Sequence, residues 1–144
     1  MKNNTICDIV IIGGGYSGTL TAVNLLNIGL GSKDVIMIDS SPQACRGLAY
    51  GTWDDNLLLN VPAGNMSALY DIPNHFLSYC QTIDPAFNEG SFISRHIYGA
   101  YLEFTLSEAE QSAGKTIQRI TGTVQTVRRE VTSSSFCVTL QDGS

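Results

Sequence analysis

The sequence is poor in cations, and this shortage limits the partners that it can bind. Its 144 residues contain 8 Lys and Arg against 13 Asp and Glu, which gives a net charge of −5 at pH 7. Sequence-independent binding to the phosphates of DNA or RNA needs clustered Lys and Arg side chains. We therefore expect no nucleic-acid partner.

Closely spaced metal or redox ligands are also missing. The four cysteines are far apart in the chain, at Cys7, Cys45, Cys80 and Cys137. Because no C-x-x-C pair exists, the usual ligand spacings of a zinc site and of a thioredoxin-type redox motif are excluded. His75 and His96 fit no metal or triad pattern. We predict no metal site, structural thiols at Cys45 and Cys80, and surface or helix-end positions for both histidines.

Long apolar runs are absent from the N-terminal region. The apolar run Ile9–Ile12 is far shorter than the ~7–15 residues of a secretory core or the ~20 residues of a membrane span. Neither a membrane partner nor secretion is predicted. Cytoplasmic residence with reduced thiols is the expectation.

The composition is that of a folded domain. Apolar residues make up 43% of the chain and charged residues 15%, which are globular values. The first part of the chain, residues 6–39, predicts a βαβ unit. A buried strand at 7–12 is followed by a helix at 17–30 and a second strand at 35–38 that ends at Asp39.

The rest of the chain departs from simple α/β alternation. Residues 40–114 predict a long insertion, irregular to residue 74, with a short helix from Pro73 to about Gln81 and a longer helix at Arg95–Ala113. Residues 115–144 predict a β-meander with strands at 116–120, 123–131 and 135–140. Loops as long as the first part of the insertion are usually functional.

Residues 13–18 fit the pattern G-x-G-x-x-G between the first strand and the first helix. By itself this pattern also fits a simple glycine turn. In this context Gly13 allows the tight turn, Gly15 lets backbone N–H groups approach a pyrophosphate, and Gly18 lets helix and strand pack closely. The helix N-terminus adds partial positive charge, so the segment predicts dinucleotide binding.

Asp39 strengthens that prediction through its position. It lies 39 − 18 = 21 residues after the last glycine, at the end of the second strand, where an acidic residue accepts hydrogen bonds from ribose hydroxyls. Its negative charge opposes the 2′-phosphate of NADP. A plain NAD domain would then continue soon into another helix and a third parallel strand. The long insertion and the meander instead indicate the two-dinucleotide-binding flavoprotein organisation.

Four blocks of sequence, in order, carry a resemblance to a known family. They are Gly13 to Gly18 with Asp39; Gly47-Leu48-Ala49-Tyr50-Gly51-Thr52; Leu58-Leu59-Asn60-Val61-Pro62-Ala63 with Met66-Ser67-Ala68; and Arg95 with Tyr98-Gly99-x-Tyr101-Leu102. Together they resemble the bacterial FAD/NAD(P)-binding family of flavin oxidoreductases, which is related to flavin monooxygenases and pyridine-nucleotide disulfide reductases. One departure is at 44–46, where the family leads us to expect a glycine just before the second block.

The resemblance implies an α/β, Rossmann-like fold with FAD as cofactor and NAD(P)H as co-substrate. It assigns the pyrophosphate to Gly13, Gly15, Tyr16, Ser17 and Gly18, the adenosine ribose to Asp39 and Ser40, and the adenine to the strand at Val124. For Val124 ordinary sheet core is an equal alternative. Tyr50, Asn60 and Met66 are candidates to approach the flavin ring, with loop packing as the alternative.

The flavin would supply the redox chemistry, so we predict no catalytic acid, base or nucleophile in this chain. A NAD-linked dehydrogenase fragment and a non-catalytic nucleotide-binding or interaction domain remain as alternatives. The substrate is not indicated by any residue.

The last residues, 138–144, predict a strand followed by an Asp-Gly turn whose partner strand should come next. The family resemblance also implies further segments. The expectation is therefore an incomplete FAD-binding domain that is colourless, binds FAD weakly or not at all, and exposes a strand edge through which copies could associate.

Overall fold

The computed structural model of the chain describes residues 5–131 and 133–144. In chain order the elements are β1 Ile9–Ile12, α1 Tyr16–Ile28, β2 Val35–Asp39, α2 Gly47–Tyr50, a 3-10 turn Ala63–Asn65, α3 His75–Ile83, α4 Arg95–Ala113, β3 Gln118–Thr121, β4 Val124–Arg129 and β5 Phe136–Leu140.

A three-stranded parallel sheet in the order β1-β2-β3 organises the fold. Ile9 pairs with Val35, and Ile36 pairs with Gln118. The strand β2 is buried along most of its length, as expected for a central parallel strand covered on both faces. The predicted α/β, Rossmann-like fold class is confirmed.

The third strand differs from the prediction in its pairing. The sequence predicted an antiparallel meander that includes the strand at 116–120, whereas β3 pairs in parallel with β2. The meander is limited to the antiparallel hairpin of β4 and β5. The long helix α4 supplies the crossover connection that a parallel strand requires. Periodicity could not reveal this, because the partner strand lies far back in the sequence.

The helix α4 is the largest element of the core and has both ends defined by local sequence. Its N-cap, Ser94, accepts a hydrogen bond from the backbone N–H of Ile97, and its C-cap, Gly114, adopts the left-handed conformation. It packs against α1. The predicted bounds of α4, Arg95–Ala113, are observed, and Leu106 lies on its buried face.

The insertion is more ordered than its composition suggests. The segment at 57–63 runs beside the segment at 91–95, with hydrogen bonds from Leu59 N to Ile93 O at 2.8 Å and from Ala63 N to Ser91 O at 2.9 Å. An isolated antiparallel bridge joins Leu58 and Ser94. Within the described part of the chain, no helix is both long and apolar enough to cross a membrane.

Candidate functional site

The carboxyl ends of the three parallel strands meet at one edge of the sheet. Strand β1 leads into the glycine-rich segment, β2 ends at Asp39, and β3 leads into Gly122. Gly13 N donates to Ile38 O, and Gly122 N donates to Asp39 O, both at 2.8 Å. The fold therefore brings the predicted segments together at the position where open α/β sheets bind ligands.

The N-terminus of α1 is available to an anion. Its N-cap is Gly15, which has no side chain to bond the first amides, and the first turn contains no acidic residue. Among the described residues, no protein acceptor takes a hydrogen bond from the N–H groups of Gly15, Tyr16 or Ser17. Free amides and the helix dipole together favour a phosphate at this point.

Gly18 occupies a position where no side chain fits. A Cβ atom at this residue would lie 1.8 Å from Gly13 O and 3.3 Å from the Ile11 side chain. Gly13 itself has φ +94°, which favours glycine. The close contact between α1 and the end of β1 is the packing for which the third glycine was predicted.

Gly15 lies against a second glycine, Gly47, which no spacing in the sequence assigned to this site. A Cβ atom on Gly47 would lie 3.0 Å from the Cα of Gly15, and Gly47 has φ +56°. The start of α2 is therefore in backbone contact with the glycine-rich segment. The sequence signal was present in the second block of the family resemblance, but the contact depends on the tertiary fold.

The carboxylate of Asp39 joins the glycine-rich segment to the chain after β2. Its Oδ2 accepts from Gly14 N at 2.5 Å, and its Oδ1 accepts from Ser41 N at 2.7 Å. The side chain thus fixes the entrance of the loop. A carboxylate offers about four lone-pair positions, so both oxygens retain capacity for a further donor.

Three tyrosines border the glycine-rich segment. The ring centroid of Tyr98 on α4 lies 6.4 Å from that of Tyr16 and 4.8 Å from that of Tyr50. Burial raises the pKa of Tyr98 and of Tyr50 above the ordinary value, so both phenols stay protonated at neutral pH. Tyr98 belongs to the fourth block of the family resemblance, from which no role at the site was predicted for it.

The remaining predicted residues lie at different depths. Val124 is half-buried and packs in a small cluster with Ile36, Ile38 and Leu140. The Ser40 side chain is exposed at the sheet edge. Met66 is half-buried, and its carbonyl accepts from the Tyr98 hydroxyl at 3.1 Å. Asn60 is exposed, and within the described ranges no hydrogen bond joins it to the glycine-rich segment.

A buried arginine holds the segment before α2 on α4. The Arg46 guanidinium pairs with Glu103 at 2.7 Å and 3.1 Å and lies 5.1 Å from the Trp53 ring centroid. The family resemblance led us to expect a glycine at 44–46. Cys45 lies there and has φ +77°, so this turn adopts the left-handed conformation although it contains no glycine. Burial raises the pKa of the Cys45 thiol, which is consistent with a structural role.

Comparisons with known proteins agree with this geometry. Residues 10–144 match the model of a family described as FAD-NAD(P)-binding. Among curated proteins, no sequence matches the chain.

Three solved structures illustrate the structural similarity. A variant of the flavin monooxygenase from Stenotrophomonas maltophilia is 22% identical, with a TM-score of 0.60 over 96% of this chain and 34% of that one. Cyclohexanone monooxygenase from Rhodococcus sp. Phi1, bound to NADP+, is 17% identical, with a TM-score of 0.67 over 98% and 24%. The bacillithiol disulfide reductase of Staphylococcus aureus is 16% identical, with a TM-score of 0.63 over 94% and 34%.

At these identities the comparisons with solved structures establish the fold. The chain spans about a quarter to a third of the length of these three proteins, from 24% to 34%.

Proposed function

Because the chain belongs to the FAD-NAD(P)-binding family, we propose that the carboxyl edge of its sheet binds the ADP portion of FAD. The observation that carries this proposal is the meeting of the α1 N-terminus, Asp39 and the 122–124 segment at that edge. Each of the three segments offers a different kind of contact, and together they suit the three parts of ADP.

The pyrophosphate is proposed to lie at the N-terminus of α1. The free amides of Gly15, Tyr16 and Ser17 would donate to its oxygens, and the helix dipole adds to the attraction. Gly13 and Gly18 keep the loop tight, and the glycine at position 15 leaves the backbone open to the approaching phosphates.

The adenosine is proposed to extend from there across the ends of β2 and β3. The carboxylate of Asp39 would accept from the ribose hydroxyls while keeping its hydrogen bonds to Gly14 and Ser41. Ser40 is exposed beside it and is proposed to contact the same ribose. Val124 would place its backbone beside the adenine ring.

The whole protein is proposed to be a flavin-dependent oxidoreductase that uses NAD(P)H. The isoalloxazine would carry the electrons, so this chain would bind and orient the cofactor rather than supply an acid or base. Tyr50 and Met66 are connected to Tyr16 of the glycine-rich segment through Tyr98, and these residues are proposed to border the flavin end.

Titration of the purified chain with ADP, AMP and adenosine 2′,5′-bisphosphate tests the site. We expect ADP to bind, and we expect adenosine 2′,5′-bisphosphate to bind more weakly than AMP, because its 2′-phosphate would approach the Asp39 carboxylate. The variant Gly15→Val should abolish ADP binding while circular dichroism shows a folded protein. Gly90→Val, in an exposed turn, is the matched control.

Equal ADP affinity in the wild type and in Gly15→Val would contradict the assignment of the pyrophosphate. A second experiment compares how strongly FAD and NAD displace bound ADP. Stronger displacement by FAD supports a flavin site, and stronger displacement by NAD would favour a NAD-linked dehydrogenase domain instead.

A further inference from the structure

A chain of hydrogen bonds runs from the surface of α4 into the insertion. Glu108 Oε2 lies 3.1 Å from His75 Nε2, and His75 Nδ1 lies 2.9 Å from the Tyr101 hydroxyl. That hydroxyl also accepts from Ala68 N at 3.0 Å. The sequence predicted a surface or helix-end position for His75. The residue does begin α3, but its ring has two hydrogen-bond partners that no pattern indicated.

The donors and acceptors of this chain fit the neutral form of His75. Neutral imidazole has one N–H and one acceptor nitrogen. With the proton on Nε2, that nitrogen donates to Glu108 while Nδ1 accepts from the Tyr101 hydroxyl. The hydroxyl oxygen keeps a lone pair for Ala68 N–H. Every donor and acceptor in this series of hydrogen bonds then has a partner, although Tyr101 is fully buried.

A second tyrosine of α4 holds the same stretch of backbone. The Tyr98 hydroxyl donates to Met66 O at 3.1 Å. Tyr98 and Tyr101 are three residues apart and therefore lie on one face of the helix. The segment 66–68 is thus hydrogen-bonded at both ends to neighbouring phenols. The Met66 carbonyl accepts from the Tyr98 hydroxyl, and the Ala68 amide donates to the Tyr101 hydroxyl.

We call the two hydrogen bonds that hold the segment 66–68 the clamp. Aromatic contacts connect this segment to the candidate site. The Tyr98 ring stacks on Tyr16 of the glycine-rich segment, with centroids 6.4 Å apart. Phe76 contacts both clamping tyrosines, with centroids 4.9 Å from Tyr98 and 4.8 Å from Tyr101. A shift of the segment 66–68 would therefore reach Tyr16 through closely packed rings.

We propose that His75 and Glu108 are positioning residues that act through the Tyr101 hydroxyl to hold the segment 66–68 beside the cofactor site, and that protonation of His75 reorganises this segment. The part that concerns the cofactor rests on the proposed function. The clamp itself rests only on the contacts among these side chains.

Protonation of His75 changes the direction of one hydrogen bond. Both ring nitrogens become donors, so Nδ1–H would point at the Tyr101 oxygen and the phenol proton would lose its acceptor. Burial raises the pKa of Tyr101, so the phenol cannot relieve the conflict by ionising. The nearby hydroxyls of Ser67 and Thr105 are the remaining acceptors; Ser67 already accepts from Leu69 N, and Thr105 already donates to Tyr101 O.

The groups that face the His75 ring include a single ionised side chain. Glu108 and Tyr101 contact its two nitrogens, and the Phe104 ring stacks on it with centroids 6.2 Å apart. The backbone N–H of His75 donates to Ile72 O. Within the described residues, Glu108 is therefore the charged neighbour that a protonated His75 ring would contact.

Amide hydrogen exchange at Ala68, followed by NMR, tests the clamp. We expect Tyr101→Phe to speed exchange of this amide at least about tenfold and His75→Leu to speed it several-fold, although His75 does not touch Ala68. Tyr79→Phe is the matched control, since this phenol belongs to the same aromatic cluster but has no hydroxyl hydrogen bond among the described residues.

The pH profile separates positioning from simple packing. In the wild type we expect protection of the Ala68 amide to be lower where NMR shows the His75 ring protonated than where it shows the ring neutral. In His75→Asn the side-chain oxygen still accepts from Tyr101 but cannot titrate, so we expect protection to remain and the pH dependence to vanish. Unchanged Ala68 protection in His75→Leu, or a persistent pH dependence in His75→Asn, would overturn the proposal.

Glu108→Gln supplies a variant that keeps the fold should His75→Leu fail to fold. It leaves an oxygen that accepts from His75 Nε2–H, so we expect Ala68 protection close to that of the wild type, whereas Glu108→Leu removes this acceptor and should speed exchange several-fold. Equal Ala68 exchange in Glu108→Leu and in the wild type would overturn the role of Glu108. These readouts need no ligand, and a failure of ADP to bind would count against the proposed function alone.

Discussion

The contact between Gly18 and Gly13 gives a sharp prediction for a single residue. Gly18→Ala places a methyl group 1.8 Å from a backbone oxygen that no side-chain rotation can move. We expect the free energy of unfolding to fall by about 3 kcal/mol, at the upper end of overpacking effects. Urea unfolding monitored by circular dichroism measures this change.

Gly90 provides the control for that substitution. A Cβ atom there would meet only the Asn88 side-chain oxygen at 3.4 Å, which is ordinary contact. Gly90→Ala should change the free energy of unfolding by less than about 0.5 kcal/mol. A similar loss in both variants would mean that the Gly18 contact is not the cause.

Asp39 combines a structural role with the proposed ligand contact. Asp39→Ala leaves the Gly14 and Ser41 amides without their acceptor, which we expect to cost about 1–3 kcal/mol of stability. Loss of charge-assisted bonds to the ribose should also reduce ADP affinity by about 10- to 150-fold. Calorimetric titration below the unfolding temperature separates the two effects. A loss of affinity under threefold would indicate that another residue holds the ribose.

At the scale of secondary-structure elements, the N-terminus of α4 tests whether a local capping residue stabilises a helix. Ser94 is buried, and its hydroxyl accepts from Ile97 N at 3.3 Å. Ser94→Ala should lower the free energy of unfolding by about 1 kcal/mol because an amide of the first turn loses its partner. Ser107→Ala, on the exposed face of the same helix, should be neutral or slightly stabilising. Equal effects in the two variants would show that the cap does not stabilise the helix.

The elements that were predicted well from sequence have local signals. The helix α4 has a serine cap and a glycine stop, and the glycine-rich segment has its own spacing. The parallel pairing of β3 and the contact of Gly47 with Gly15 depend on residues far away in sequence. No periodicity in a single segment contains that information, so these features became visible only in the folded chain.

The residues of the candidate site and its surroundings also divide into those that local spacing identified and those that it did not. Residues 13–18 and Asp39 were identified from spacing, and the fold does bring them together. Their proposed ligand contacts remain predictions. The hydrogen bonds of His75 were not foreseen, because its partners lie on α4 at positions that are typical of core and of solvated surface.

The stability of the whole molecule should decline in alkaline solution. Burial raises the pKa of Cys80 to about 11, so the folded state keeps a proton that the unfolded chain releases above about pH 9. Because the folded state then binds more protons, the free energy of unfolding falls as pH rises from 9 to 11, by about 2 kcal/mol for this thiol. Buried phenols such as Tyr98 act in the same direction.

Urea unfolding at pH 7, 9 and 11 measures this decline. Cys80→Ala should be less stable at pH 7, because it leaves a small cavity, yet it should lose less stability between pH 9 and 11. Cys137→Ala alters an exposed thiol and should keep the wild-type slope. A Cys80→Ala slope equal to the wild-type slope would show that this thiol does not contribute.

The backbone contact between Gly15 and Gly47 also constrains how the protein can diverge. The two sides of the contact are not equivalent, because a Cβ atom at Gly47 would lie 3.0 Å from the Gly15 Cα in a left-handed backbone conformation, whereas a Cβ atom at Gly15 would meet Gly47 at an ordinary 3.5 Å. As far as packing is concerned, we therefore expect homologues to keep glycine more strictly at position 47 than at position 15. Homologues with a side chain at position 47 should be those in which the entrance of the glycine-rich segment has been rebuilt.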